Sequence, residues 1–136
     1  MKKFKRLTSA LVVMTVLVGA CTASYAAVQP NMAKVEERKA RKTQIVGERV
    51  GKVLVKAFEL YNQDLVDEAI AELLDVKSNN EFDTATLNRF LGNLYATRDE
   101  KQAIKYLTLA VAPDLLPFND QSTTMKLLAD MLLQNK

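Results

Sequence analysis

The chain has 136 residues, 49% of them hydrophobic and 26% charged, with a formal net charge of +3 and no histidine. That length has room for one domain with a modest core. Without histidine it lacks the commonest general base, the imidazole metal ligand and the usual nucleophile triads together.

Residues 1–26 have the layout of a secretory signal. Lys2, Lys3, Lys5 and Arg6 form a basic start, Ala10–Ala20 is a short apolar run, and Ser24 and Ala26 are small residues placed for cleavage. The apolar run is well short of the ~20 residues a spanning helix needs. Three outcomes stay open: cleavage after Ala26, cutting and lipidation at Cys21 within "VGAC", or a retained signal anchor. The first two give a periplasmic protein and an outer-membrane lipoprotein, and Cys21 supplies the only expected membrane attachment. Cys21 is also the only cysteine, so residues 27–136 hold no disulfide framework.

Without the signal the charge balance changes. Its four basic residues leave 15 of the 19 Lys and Arg, against 16 Asp and Glu. No global basic field remains, and nucleic acid is not an expected partner. The remaining charge is polarised. Residues 34–56 carry eight positive and three negative charges, and residues 57–136 carry seven and thirteen. Residues 27–46 therefore read as a basic, mobile arm leading into a body at 47–136.

The body is expected to be all-α. Val50, Val53, Leu54, Ala57 and Leu60 form a first helical stripe, and Leu65, Ala69, Ile70 and Leu73 a second. After "KSNNEFD", where Asp83 or Thr84 is placed to cap, a third follows: Leu87, Phe90, Leu91, Leu94 and Tyr95. Asp99 with Gln102 resembles a capping box before the fourth, Ala103, Ile104, Leu107 and Ala110. Pro113 and Pro117 mark a loop, and Ser122 or Thr123 opens a fifth stripe of Met125, Leu128, Ala129 and Leu132. Short turns make stripes one and two, and three and four, antiparallel hairpins.

The hairpins repeat. Ala69 and Ala103 align 34 residues apart, and Ala57, Gly92 and Ala129 align in the first helices at intervals of 35 and 37. A period near 34 is that of a tetratricopeptide array, stacked as a right-handed superhelix of about two and a half repeats. Ala57, Ala69, Leu91, Gly92, Tyr95, Ala103 and Ala129 are the expected packing positions, with Gly92 allowing close approach to Ala103. The last stripe is a first helix without a second. Its apolar remainder points to an unfinished edge: a partner, a second copy through self-association, or a shortened member of a longer family.

The segment "NRFLGNLYATRDEKQAIKYLTLAV" (residues 88–111) resembles the tetratricopeptide pattern, with Leu91-Gly92, Tyr95, Ala103, Leu107 and Ala110 at its places. Its turn is one residue short and it lacks the closing proline. The longer stretch at residues 37–96 resembles periplasmic tetratricopeptide proteins found beside TonB-type energy-transduction genes in marine gammaproteobacteria. "RKTQ" before the first helix, "EFD" before the third and the "LGNLY" core carry that likeness. It implies an exported adaptor for a TonB–ExbB–ExbD-type complex driving iron–siderophore uptake. The alternative is a soluble or lipid-anchored scaffold for outer-membrane or secretion machinery.

Repeat arrays bind along the surface made by their first helices. Position by position, that surface is expected to hold Phe58, Tyr61 and Asn62, then Arg89 and Asn93, then Lys126 and Asp130. Arg89 and Asn93, four apart, would offer a cation and an amide to a peptide carboxylate or backbone. The solvated-surface reading of Arg89 and the core reading of Phe58 and Tyr61 remain as rivals. No catalytic residue, metal site or cofactor is expected. The carboxylate pairs Asp67-Glu68 and Asp99-Glu100 open helices, where they suit the helix dipole, and no glycine-rich phosphate loop exists.

Overall fold

A computed structural model describes residues 31–135. They are all-α: α1 (Met32–Ala40), α2 (Glu48–Asn62), α3 (Val66–Asp75), α4 (Glu81–Tyr95), α5 (Glu100–Val111) and α6 (Phe118–Gln134), with no strand among them. The expected signal, with Cys21, lies outside the described residues. The described residues divide into two units between Val35 and Glu36. In the first, α1 begins with the Lys34 amide donating to the Asn31 side chain at 3.2 Å.

The second unit is built from helix pairs in chain order, α2 with α3 and α4 with α5, followed by α6 against α5. The turn from α2 to α3 is only Gln63–Leu65, and Asp64 takes a left-handed backbone there, φ 61°. Aspartate tolerates that region better than most residues because its side chain bonds locally. The main core joins Val50 and Ala57 of α2, Val66, Ala69, Ile70 and Leu73 of α3, and Leu87 and Leu91 of α4. Ala69 and Ala103 are both fully buried, 34 positions apart.

Gly92 does require its missing side chain, though its neighbour is not the expected one. A Cβ there would lie 2.6 Å from Cγ and Cδ2 of Leu107 and 3.0 Å from the Leu107 backbone nitrogen. Leu107, one turn beyond Ala103, is what closes on the glycine. Tyr95 and Tyr106 extend the seam, their rings stacked 5.5 Å apart and 3° from parallel.

The caps divide into expected and unexpected. Asp99 caps α5, accepting from the Gln102 amide at 3.0 Å. At α4 the cap is Asn80, which accepts from the Asp83 amide at 3.0 Å, rather than Asp83 or Thr84. Asp83 is buried instead. Its carboxylate accepts from the Gly47 amide at 2.9 Å and the Ser78 hydroxyl at 3.0 Å, joining the entry of α2 to that of α4.

Two departures concern the ends of this unit. Helix α6 starts at Phe118 behind Pro117, a turn earlier than expected, and buries a different face. Gln121, Thr124 and Met131 are buried, whereas Met125, Ala129 and Leu132 of the expected stripe are exposed. Polar groups on this face find partners nearby. The Gln121 amide donates to the Val111 carbonyl at the end of α5 (3.0 Å), and the Thr124 hydroxyl donates to Asp120 in its own helix (2.6 Å). At the other end, the segment read as a mobile arm contributes the last turns of α1. Arg38 donates from two nitrogens to Asp114, and Arg41 reaches both Asp114 (3.2 Å) and the Leu116 carbonyl (2.8 Å). Asp114 sits at φ 52° in the loop between α5 and α6, so that loop receives both guanidinium groups.

Candidate protein-binding cleft

The C-terminal halves of α2 and α4 border an apolar cavity of about 230 Å³. Ala57, Phe58 and Tyr61 line it from α2, and Phe90, Asn93 and Leu94 from α4. The 3.6-residue period explains the set. Positions 57, 58 and 61 share one helical face, as do 90, 93 and 94. Phe58 is 57% and Tyr61 52% exposed, so two aromatic rings stand largely in water at the rim.

Of the expected groove residues, the structure brings three together here: Phe58, Tyr61 and Asn93. Asn62 is exposed at the last position of α2 and does not line the cavity. Arg89 does not line it either. Its guanidinium pairs with Asp120 of α6 at 2.8 Å and lies 5.7 Å from the centre of the Phe90 ring, while its buried Nε has no hydrogen-bond partner. The expected two-residue clamp is therefore separated, the amide in the cleft and the cation drawn toward α6. Lys126 and Asp130 bond each other at 2.6 Å on the surface of α6, and so present a neutral pair.

Phe90, Leu94 and Ala57 are the lining residues that sequence reasoning placed in the core. The first two are half-buried and do pack on the main cluster, so one side of each is core and the other is cleft wall. The signal was available in Phe90 and Leu94, four apart and flanked by polar Arg89 and Asn93. A side chain at the edge of an apolar stripe is where a packed face turns into a solvent-facing one.

The chemistry of the cleft follows from this lining. Its walls are aromatic and aliphatic, and the Asn93 side chain offers one carbonyl acceptor and two amide protons. Small-molecule sites usually begin at about 300 Å³, so this cavity is scaled to one or two apolar side chains. A second depression, of about 220 Å³, lies between Asn79, Glu81, Thr84 and Ala85 on one side and Leu109 and Pro113 on the other. No helix among the described residues is long and apolar enough to cross a membrane. No protein-family model, curated protein or solved structure matches this chain.

Proposed function

We propose that this chain is a non-catalytic, tetratricopeptide-type adaptor that binds another protein in the periplasm, as an accessory of a TonB-type energy-transduction complex. The observation carrying the binding role is the α2–α4 cleft, which keeps Phe58 and Tyr61 more than half exposed beside the Asn93 amide. Exposed aromatic rings around a small apolar recess are the residues that anchor protein interfaces, because each offers a large buried area for little lost side-chain freedom. A partner would place an apolar side chain in the recess and its backbone against Asn93. The Arg89–Asp120 pair stands outside the recess, and a carboxylate on the partner would have to compete with Asp120 for the guanidinium.

The superhelical stacking belongs to the same proposal. It is supported by the 34-residue recurrence of fully buried alanines and by the glycine closed over by Leu107. The periplasmic and TonB parts rest on the signal layout and on the likeness carried by residues 37–96.

The test is affinity recovery of the tagged chain, crosslinked in cells under iron limitation, beside a Phe58→Ala/Tyr61→Ala variant. TonB-, ExbB- or ExbD-type proteins should be recovered with the original and lost with the variant. Their absence from both, or recovery of outer-membrane assembly proteins instead, would exclude the TonB assignment. Mass spectrometry of the recovered chain's N-terminus would decide between Ala27 and lipidated Cys21.

A further inference from the structure

The walls of the α2–α4 cleft are apolar, and the charge beside them is mostly of one sign. Between Ala57 and Val76 the chain carries six carboxylates, Glu59, Asp64, Asp67, Glu68, Glu72 and Asp75, and no lysine or arginine. Glu72 pairs with Lys56 of α2. The other five are exposed and form no ion pair among the described residues.

Three of those five adjoin the cleft. Glu59 follows Phe58 on α2. Asp64 stands in the turn beyond Tyr61, its backbone amide donating to the Tyr61 carbonyl at 3.0 Å. Asp67 is in the first turn of α3, and its charge reaches Tyr95, the neighbour of the lining residue Leu94. Burial, then Tyr106, then the charges of Asp99 and Asp67 raise the Tyr95 pKa above its ordinary value, so both carboxylates act at the α4 end of the cleft. The nearest cations are mostly taken: Arg89 by Asp120 and Lys56 by Glu72. Arg98 and Lys101, at and just past the α4–α5 turn, carry no ion pair among the described residues. They are set against Glu59, Asp64, Asp67, Asp99 and Glu100, so the balance beside the cleft is negative.

An apolar recess with a negative rim selects its occupant by charge. Apolar contact holds the ligand, an opposite charge speeds encounter and fixes register, and a like charge repels. We infer that the cleft takes a basic segment of its partner protein, with an apolar or aromatic side chain seated against Phe58 and Tyr61 and lysines or arginines within a few residues meeting Glu59, Asp64 and Asp67. This rests on the protein-binding reading of the cleft and narrows it. Acidic segments and C-terminal carboxylates are the disfavoured class, since the Arg89 guanidinium is already held by Asp120.

The probe is a phage-displayed library of short random peptides, selected on the full chain and counter-selected on its Phe58→Ala/Tyr61→Ala variant. Selected peptides should join an apolar or aromatic residue to an excess of Lys and Arg over Asp and Glu. One of them, labelled and titrated by fluorescence anisotropy, should bind about fivefold more weakly to Glu59→Gln/Asp64→Asn/Asp67→Asn. Raising salt from about 50 to about 500 mM should weaken it by a similar factor. All three replaced positions are exposed, and asparagine accepts the left-handed backbone of position 64 as aspartate does, so this variant keeps the fold. Peptides that need the two rings but carry no basic excess, or that bind the triple variant equally well, would overturn the inference and leave the cleft a protein-binding site. Basic peptides indifferent to Phe58→Ala/Tyr61→Ala would overturn it by placing the charge effect outside the cleft. A library yielding no peptide dependent on the rings would overturn both readings together. In sedimentation, a dimer dissolved by Phe58→Ala/Tyr61→Ala would assign the cleft to a second copy and overturn the partner segment.

Discussion

The seam between α4 and α5 and the seam between α5 and α6 share Leu107 but differ in what else closes them. The first is closed by absence: Gly92 has no side chain, and Leu107 fills the space to within 2.6 Å of where a Cβ would stand. The second is closed partly by polar groups. Gln121 and Thr124 are buried in α6, Arg89 reaches over to Asp120, and the Arg89 Nε and Gln121 Oε1 atoms have no hydrogen-bond partner. Close apolar packing gains dispersion and hydrophobic energy with every contact, whereas a polar seam gains little once desolvation is subtracted. The apolar α4–α5 seam is therefore expected to contribute more to stability than the polar contacts of α6.

The sharpest way to break this contrast is Gly92→Leu. Forcing a side chain into space already held by Leu107 and its backbone should cost about 3 kcal/mol or more. Urea unfolding should show a much lower midpoint with an unchanged slope. Survival with a melting point within a degree or two of the original would mean the seam is not close-packed.

Next comes a matched pair of truncations. Leu107→Ala empties a fully buried site and should cost roughly 2–5 kcal/mol, whereas Leu132→Ala on the exposed face should stay within about 0.5 kcal/mol. Equal effects at the two positions would mean that the face carrying Leu132 is packed rather than exposed. A smaller loss tests the polar one. Gln121→Met takes the donor from the Val111 carbonyl and should cost roughly 1–2 kcal/mol, read from the same unfolding curves.

The smallest effect concerns the end of α1. Hydrogen bonding from Arg38, followed by that from Arg41 and the charges of both, holds the Asp114 carboxyl below its ordinary range, with burial opposing. A carboxylate whose pKa is depressed on folding contributes stability that is present above its unfolded pKa and lost as pH falls through its folded one. Release of residues 36–41 on acidification should thus begin only below the usual carboxyl range. Asp114→Asn should release them at neutral pH for under ~1 kcal/mol, since the pair is partly screened by solvent. Hydrogen exchange would show faster amides at residues 36–41 and unchanged protection in α4 and α5.

What the sequence made legible follows the same division. Where a seam is apolar its period survives in the letters, so Ala57, Ala69, Leu91, Gly92 and Ala103 could be placed as packing residues from spacing alone. Asp99 was legible as a cap because its partner is three residues away. The polar arrangements were not. Gln121 and Thr124 look like surface residues until the end of α5 is brought beside them, and Asp83 looks like a cap until Gly47 arrives from 36 positions away. Arg38 and Asp114 are 76 positions apart, with nothing local to either that announces the pair. The cleft was half legible. Phe58, Tyr61 and Asn93 follow from which helices share a face, but the diversion of Arg89 to Asp120 depends on where α6 begins. Ala129 was read as a packing position like Ala57 and Gly92, and it is the one left exposed.

The central claim is that the α2–α4 cleft holds another protein, and one measurement addresses it directly. A photo-crosslinking amino acid placed at Tyr61, in the cleft wall, is compared in cells with the same group at Leu74, an exposed position on α3 away from it. The account predicts a discrete adduct from position 61 with a TonB-, ExbB- or ExbD-type protein, absent from position 74 and reduced by Phe58→Ala. No adduct from position 61, or the same adduct from both positions, would contradict it.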